Sequence, residues 1–66
     1  MQIQSTAIRA FDYQPEHGKL FVTFSDGDEY VYVGVPPRVR DAFERAPSKG
    51  RFFLRVIRDR YPYNRI

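Results

Sequence analysis

The chain has no cysteine, which excludes disulfides and thiolate metal sites. It has one histidine, His17, too few for a zinc cluster. Tryptophan is also absent, so burial of large rings falls to six Phe and five Tyr. No apolar run approaches the roughly 20 residues that cross a bilayer. Met1-Gln2-Ile3-Gln4-Ser5 lacks the charged-then-apolar pattern of a signal peptide. These absences lead us to expect a soluble, cytoplasmic protein with no cofactor, no metal and no membrane partner. Catalytic patterns are missing too. Ser48-Lys49-Gly50 has no Gly-rich loop before it and is not a Walker A motif. Asp26, Asp28 and Glu29 sit on a turn too short to wrap a calcium ion. His17, beside Glu16, has no nucleophile that the sequence pairs with it, and the expectation is a protein that is not an enzyme.

Acidic residues are scarce in one half only. Residues 1–37 carry two basic and five acidic side chains, whereas residues 38–66 carry nine basic and three acidic, within a net charge of +3. Most of the basic residues are arginines, mixed with aromatics between Ser48 and Tyr61. Arginine beside aromatic rings suits a polyanion with flat bases, which makes RNA the first partner to consider. A chain of 66 residues makes one small domain, which buries only about 60% of its unfolded surface.

Ser5 to Tyr13 reads as a first strand, closed by the turn chemistry of Gln14-Pro15-Glu16-His17-Gly18. Ile8, Phe11 and Tyr13 share a face only if a bulge intervenes near Arg9-Ala10. Leu20, Val22 and Phe24 then alternate with Phe21 and Thr23, Ser25-Asp26-Gly27-Asp28 turns, and Tyr30 to Val35 returns as a hairpin. A two-residue loop would place Tyr30 and Tyr32 beside Phe21 and Thr23. A three-residue loop ending at Gly27, the favoured reading, joins them to Leu20, Val22 and Phe24. Phe21, Val31 and Val33 then face outward, a surface for a protein partner or a homodimer. In the other register the tyrosines are free to stack bases.

Pro37 suits the first turn of a helix in which Val39, Ala42, Phe43 and Ala46 form the apolar side. Arg40 with Glu44 and Asp41 with Arg45 are i,i+4 pairs on its wet side. Pro47 stops this helix and Ser48 caps the next, which Pro62 limits to about Arg60. Phe52, Leu54 and Val56 also alternate as a strand would. As a helix, the segment puts Arg51, Arg55 and Arg58 in one stripe, with Lys49 at its start. These four, with Arg60 and Tyr61 adding local contacts, are the candidate RNA-binding residues. Pro62 exposes at least one ring of Tyr61-Pro62-Tyr63, which either stacks on a base or, the favoured reading, belongs to a tail packing back over the sheet. The fold class expected is α+β, a three-stranded antiparallel meander followed by two short α-helices on one face.

Leu20-x-Val22-x-Phe24, Gly27, Tyr30-x-Tyr32-x-x-Val35-Pro36, Ala46-x-Ser48-x-Gly50-x-x-Phe53 and Ile57-Arg58-x-x-Tyr61 follow one another at short spacings. This ordered set resembles the KTSC domain, a module at the C-terminus of some lysyl-tRNA synthetases and also a free-standing bacterial protein. On that likeness residues 1–66 form a single KTSC-like domain, with its core at about 5–61 and a tail at 62–66. The resemblance implies a non-catalytic accessory role with RNA, tRNA-like structures being the natural ligand class. One departure is Leu54, where the family often has Asn.

Overall fold

The computed structural model describes residues 8–66; Ser5–Ala7, expected to open the first strand, lie outside them. Strands β1 (Ile8–Gln14), β2 (Lys19–Phe24) and β3 (Glu29–Tyr32) form the antiparallel meander. Pairing shifts by one residue between Ile8, opposite Phe24, and Ala10, opposite Thr23. This is the bulge at Arg9, and its extra residue returns Ile8 to the side of Phe11 and Tyr13. In the hairpin, Phe24 N–H donates to Asp28 O at 2.8 Å, and Gly27 N–H donates to Phe24 O at 2.9 Å. Gly27 has φ +97°, a conformation that favours glycine, and closes the three-residue loop. Leu20 therefore faces Tyr32 and Val22 faces Tyr30, with both tyrosines on the core side.

β3 ends at Tyr32, short of the Val35 expected from the sequence, and Val35 is tied instead to the first turn, its N–H donating to Gly18 O at 2.9 Å. Helix α1 (Pro37–Arg45) starts with proline at its first position. Its contact with the sheet is narrower than the sequence pattern: Phe43 is buried, Val39 and Ala46 are half-buried, and Ala42 is exposed. Ala42 lies about 100° around the helix from Phe43, outside the stripe that meets β1. Arg40 pairs with Glu44 at 3.3 Å as expected. Asp41 instead lies 3.1 Å from Arg40 Nε, so the anticipated Asp41–Arg45 pair is replaced by a neighbour whose reach is shorter.

Ser48 Oγ accepts from Arg51 N–H at 3.3 Å and caps α2 (Lys49–Phe52). The helix continues as a π-helical turn over Phe53–Ile57, marked by Arg58 N–H donating to Phe53 O at 2.9 Å. The run is thus helical, not a strand, and it changes pitch partway. Phe53 and Ile57 are both buried against the sheet. The core is Leu20, Val22, Tyr32, Val35, Phe43, Phe53 and Ile57, with Phe11 and Phe43 ring centroids 4.6 Å apart.

Residues 62–66, expected to be a tail, contain a fourth strand. Strand β4 (Tyr63–Arg65) pairs antiparallel with β3, placing Tyr63 opposite Tyr32 and Arg65 opposite Tyr30. Pro62, which cannot donate, accepts from Val33 N–H at 3.0 Å. The sheet order is β1-β2-β3-β4.

Candidate nucleic-acid interface

The second helix carries the arginines away from the sheet, because Phe53 and Ile57 are the side chains that face it. Arg51, Arg55, Arg58 and Arg60 are all exposed. Among the described residues, Arg51, Arg55 and Arg60 have no carboxylate partner, while Arg58 Nε lies 3.5 Å from Asp59 Oδ1. A uniform α-helix would hold Arg51, Arg55 and Arg58 in one stripe. Each residue of a π turn advances the helix by a smaller angle, so the later residue falls behind the stripe. Arg51 and Arg55 accordingly border a groove with Ala46, Pro47, Phe52 and Val56. Arg58 borders a different groove on the other side of the helix.

Lys49 occupies another role in the fold. Its Nζ donates to Glu44 O at 2.9 Å and to Ala46 O at 3.0 Å, satisfying carbonyls at the end of α1. Tyr61 is half-buried and packs on the core. Phe21 and Val31 lie on the sheet face away from the helices, and Val33 follows just past β3; all three are half-buried. Asp12, Phe21, Val31 and Asn64 stand opposite one another across the four strands. The apolar pair at the centre of that row is thus flanked by polar side chains.

Arg58's groove measures about 530 Å³ and lies between the second helix and the β3–β4 edge. Phe24, Tyr30, Tyr32, Phe53, Leu54 and Tyr63 supply its apolar lining. Tyr32 is 3% exposed, whereas Tyr63 beside it is 53% exposed. Their centroids are 5.3 Å apart, and Tyr63 lies 5.5 Å from Tyr30. Arg65 Nη2 donates to Asp28 Oδ1 at 3.0 Å along the rim. From the sequence Tyr61 counts as a site residue and Tyr63 does not, because their segment is expected to pack over the sheet. The signal for Tyr63 was Pro62 followed by Tyr-x-Arg, an edge-strand start with alternating large side chains.

Burial is the first cause that pushes the Tyr32 hydroxyl up to about 12 from 10.0, and the neighbouring Tyr63 and Tyr30 add to it. The folded chain keeps this proton where the unfolded chain releases it. Stability from this group is therefore intact below about pH 10 and falls between about pH 10 and 12. Urea midpoints measured across that range should decline in the unaltered chain and decline less in Tyr32→Phe.

Among the described residues, no group of three or more His, Cys, Asp or Glu is arranged to hold a metal ion. No helix of these residues is long and apolar enough to cross a membrane. Together the four-stranded antiparallel sheet, two helices on one face and an arginine-bearing outer side define a small α+β domain. The KTSC domain profile matches residues 4–61, and the chain belongs to this family. A crystal structure of a KTSC domain protein from Yersinia pestis is similar at TM-score 0.88 and 36% identity, covering 100% of this chain and 93% of that one. An uncharacterised protein of Stutzerimonas stutzeri is 43% identical over 65 residues, 97% of this chain and 92% of the relative. The lysine–tRNA ligase of Nostoc punctiforme is 30% identical over 63 residues, which are 96% of this chain. This chain spans only 11% of that ligase's length.

Proposed function

We propose that this chain is a non-catalytic RNA-binding accessory domain whose ligands are tRNA-like structures. The observation that carries the reading is the pair Arg51 and Arg55, one helical turn apart, exposed, and without a carboxylate partner among the described residues. Two guanidinium groups so placed can each take a phosphate of one strand. Arg60 adds a further exposed guanidinium, Arg58 offers one on the other side of the helix, and Lys49 keeps one donor beyond the two it gives to α1. The kinship with lysine–tRNA ligases supports tRNA as the ligand class.

Salt dependence tests this reading. Neutralising three to five phosphates on single-stranded RNA, at about 0.7 per contact, gives a log–log slope of roughly −2 to −3.5. Affinity should therefore fall roughly 15- to 130-fold between about 50 and 200 mM salt. A titration with no binding at about 50 mM salt, or a slope near zero, rejects the proposal. Chemical shifts recorded in the same titration should move over residues 48–61. A second reading, a protein-interaction or homodimer module, draws support from Phe21 and Val31 on the face away from the helices, with Val33 just past β3. Shifts confined to β2 and β3 would favour it.

A further inference from the structure

The groove beside β4 is separate from the Arg51–Arg55 pair and has a different chemistry. Tyr63 leans on Tyr30 and Tyr32 at 5.5 and 5.3 Å between centroids, and is still 53% exposed. A ring already held by its neighbours loses little freedom when something flat stacks on it. The volume of about 530 Å³ is in the range of small-ligand sites. Its rim is mixed: Arg58, paired through Nε with Asp59 at 3.5 Å and keeping its other N–H groups, on the helix side, and Asp26 and Asp28 on the hairpin side. Asp28 already holds Arg65 through Oδ1, which leaves Oδ2 to accept another donor. An acidic peptide would meet these carboxylates, and a wholly apolar segment would leave them unpaired. A nucleobase matches both parts, with an apolar face for the ring and an amino group for a carboxylate, while its phosphate lies outward toward Arg58.

We propose that this groove takes one unpaired nucleobase bearing an exocyclic amino group, stacked on Tyr63, with its phosphate on Arg58. The inference rests on the RNA reading above and adds to it a choice of single strand over duplex and of cytosine over uracil. Cytosine presents an amino donor where uracil presents a carbonyl oxygen, and the two rings are otherwise alike.

The test uses the full chain with oligocytidylate and oligouridylate of about ten nucleotides, a length within the usual span of single-strand sites. Oligocytidylate should bind about five-fold tighter or more. Tyr63→Ala should weaken it by roughly 5- to 150-fold, the usual effect of removing one stacking ring. Tyr63→Phe, which keeps the ring, should leave affinity unchanged. Tyr63→Leu keeps an apolar side chain on β4 and should weaken binding as Tyr63→Ala does. Binding that survives both Tyr63→Ala and Tyr63→Leu overturns the groove and leaves the arginine pair standing. Equal affinity for the two oligonucleotides overturns the selection by amino group. Failure of the unaltered chain to bind either oligonucleotide overturns the groove together with the RNA reading.

Discussion

Phe43→Ala is expected to leave much of the chain unfolded at room temperature. Phe43 is fully buried, its ring 4.6 Å from Phe11 and 5.8 Å from Phe52 between centroids. It therefore joins α1 both to β1 and to the second helix. Truncating a buried Phe to Ala costs about 3–5 kcal/mol, through lost transfer energy and the cavity left behind. A domain of 66 residues has only about 3–10 kcal/mol in total, at 0.05–0.15 kcal/mol per residue. With no cysteine and no metal cluster among the described residues, no cross-link offsets the loss. The thermal midpoint should drop by roughly 12–40 °C, or the cooperative transition should vanish. Circular dichroism with urea titration decides it. Leu54→Ala is the control, because Leu54 is 42% exposed and its loss should stay within about 0.5 kcal/mol. A Phe43→Ala chain melting at the unaltered temperature would contradict this account of the core.

The second large effect concerns binding. Arg51→Glu with Arg55→Glu should lower RNA affinity at least about 100-fold, because two charge-assisted contacts of about 1.5–3 kcal/mol each are lost. The new carboxylates then repel the same phosphates. Folding should be spared. Both side chains are exposed, and a Glu pair at i,i+4 repels much as the Arg pair did. The double change also moves the net charge from +3 to −1, since each reversal removes two units. Arg38→Glu with Arg45→Glu makes the same net change on α1 and separates the two effects. Those residues are exposed and without carboxylate partners among the described residues, and they lie outside the proposed interface. Equal losses from the two double variants would mean that net charge, not the helix face, attracts the RNA.

The features legible in the sequence are those decided by near neighbours. The spacing of Ile8, Phe11 and Tyr13 required a bulge, because only an extra residue brings a period-two strand back to one face. Gly27 after Asp26 allowed a two- or a three-residue loop and favoured the longer, and the Phe24–Asp28 hydrogen bond fixes that register, which turns Tyr30 and Tyr32 toward the core. Ser48 after Pro47 marked the cap of the second helix. The arginines themselves were identifiable as surface residues from the apolar arc opposite them.

The site's division into two parts was not legible. The π turn at Phe53–Ile57 buries both Phe53 and Ile57 on one sheet, and nothing in the composition of Phe-Leu-Arg-Val-Ile distinguishes it from an α-helical turn. It moves Arg58 to the aromatic groove. Strand β4 is three residues long and follows proline, so its pairing depends on a free β3 edge that lies some thirty residues earlier in the chain. Lys49 read as an open cation, yet its reach back to Glu44 O and Ala46 O follows from how the two helices meet.

Sequence alone thus determined the meander, its bulge and the cationic character of residues 38–66, because alternation, turn residues and charge act locally, while the hairpin register stayed between two loop lengths until the fold fixed it. Tertiary structure decided which arginines stand together and that Tyr63, rather than Tyr61, is the exposed ring. Those outcomes depend on the packing of the second helix against the sheet and on an edge that only the folded chain presents. The cationic half is consequently two surfaces, Arg51 with Arg55 on one side of the helix and Arg58 beside the tyrosines on the other.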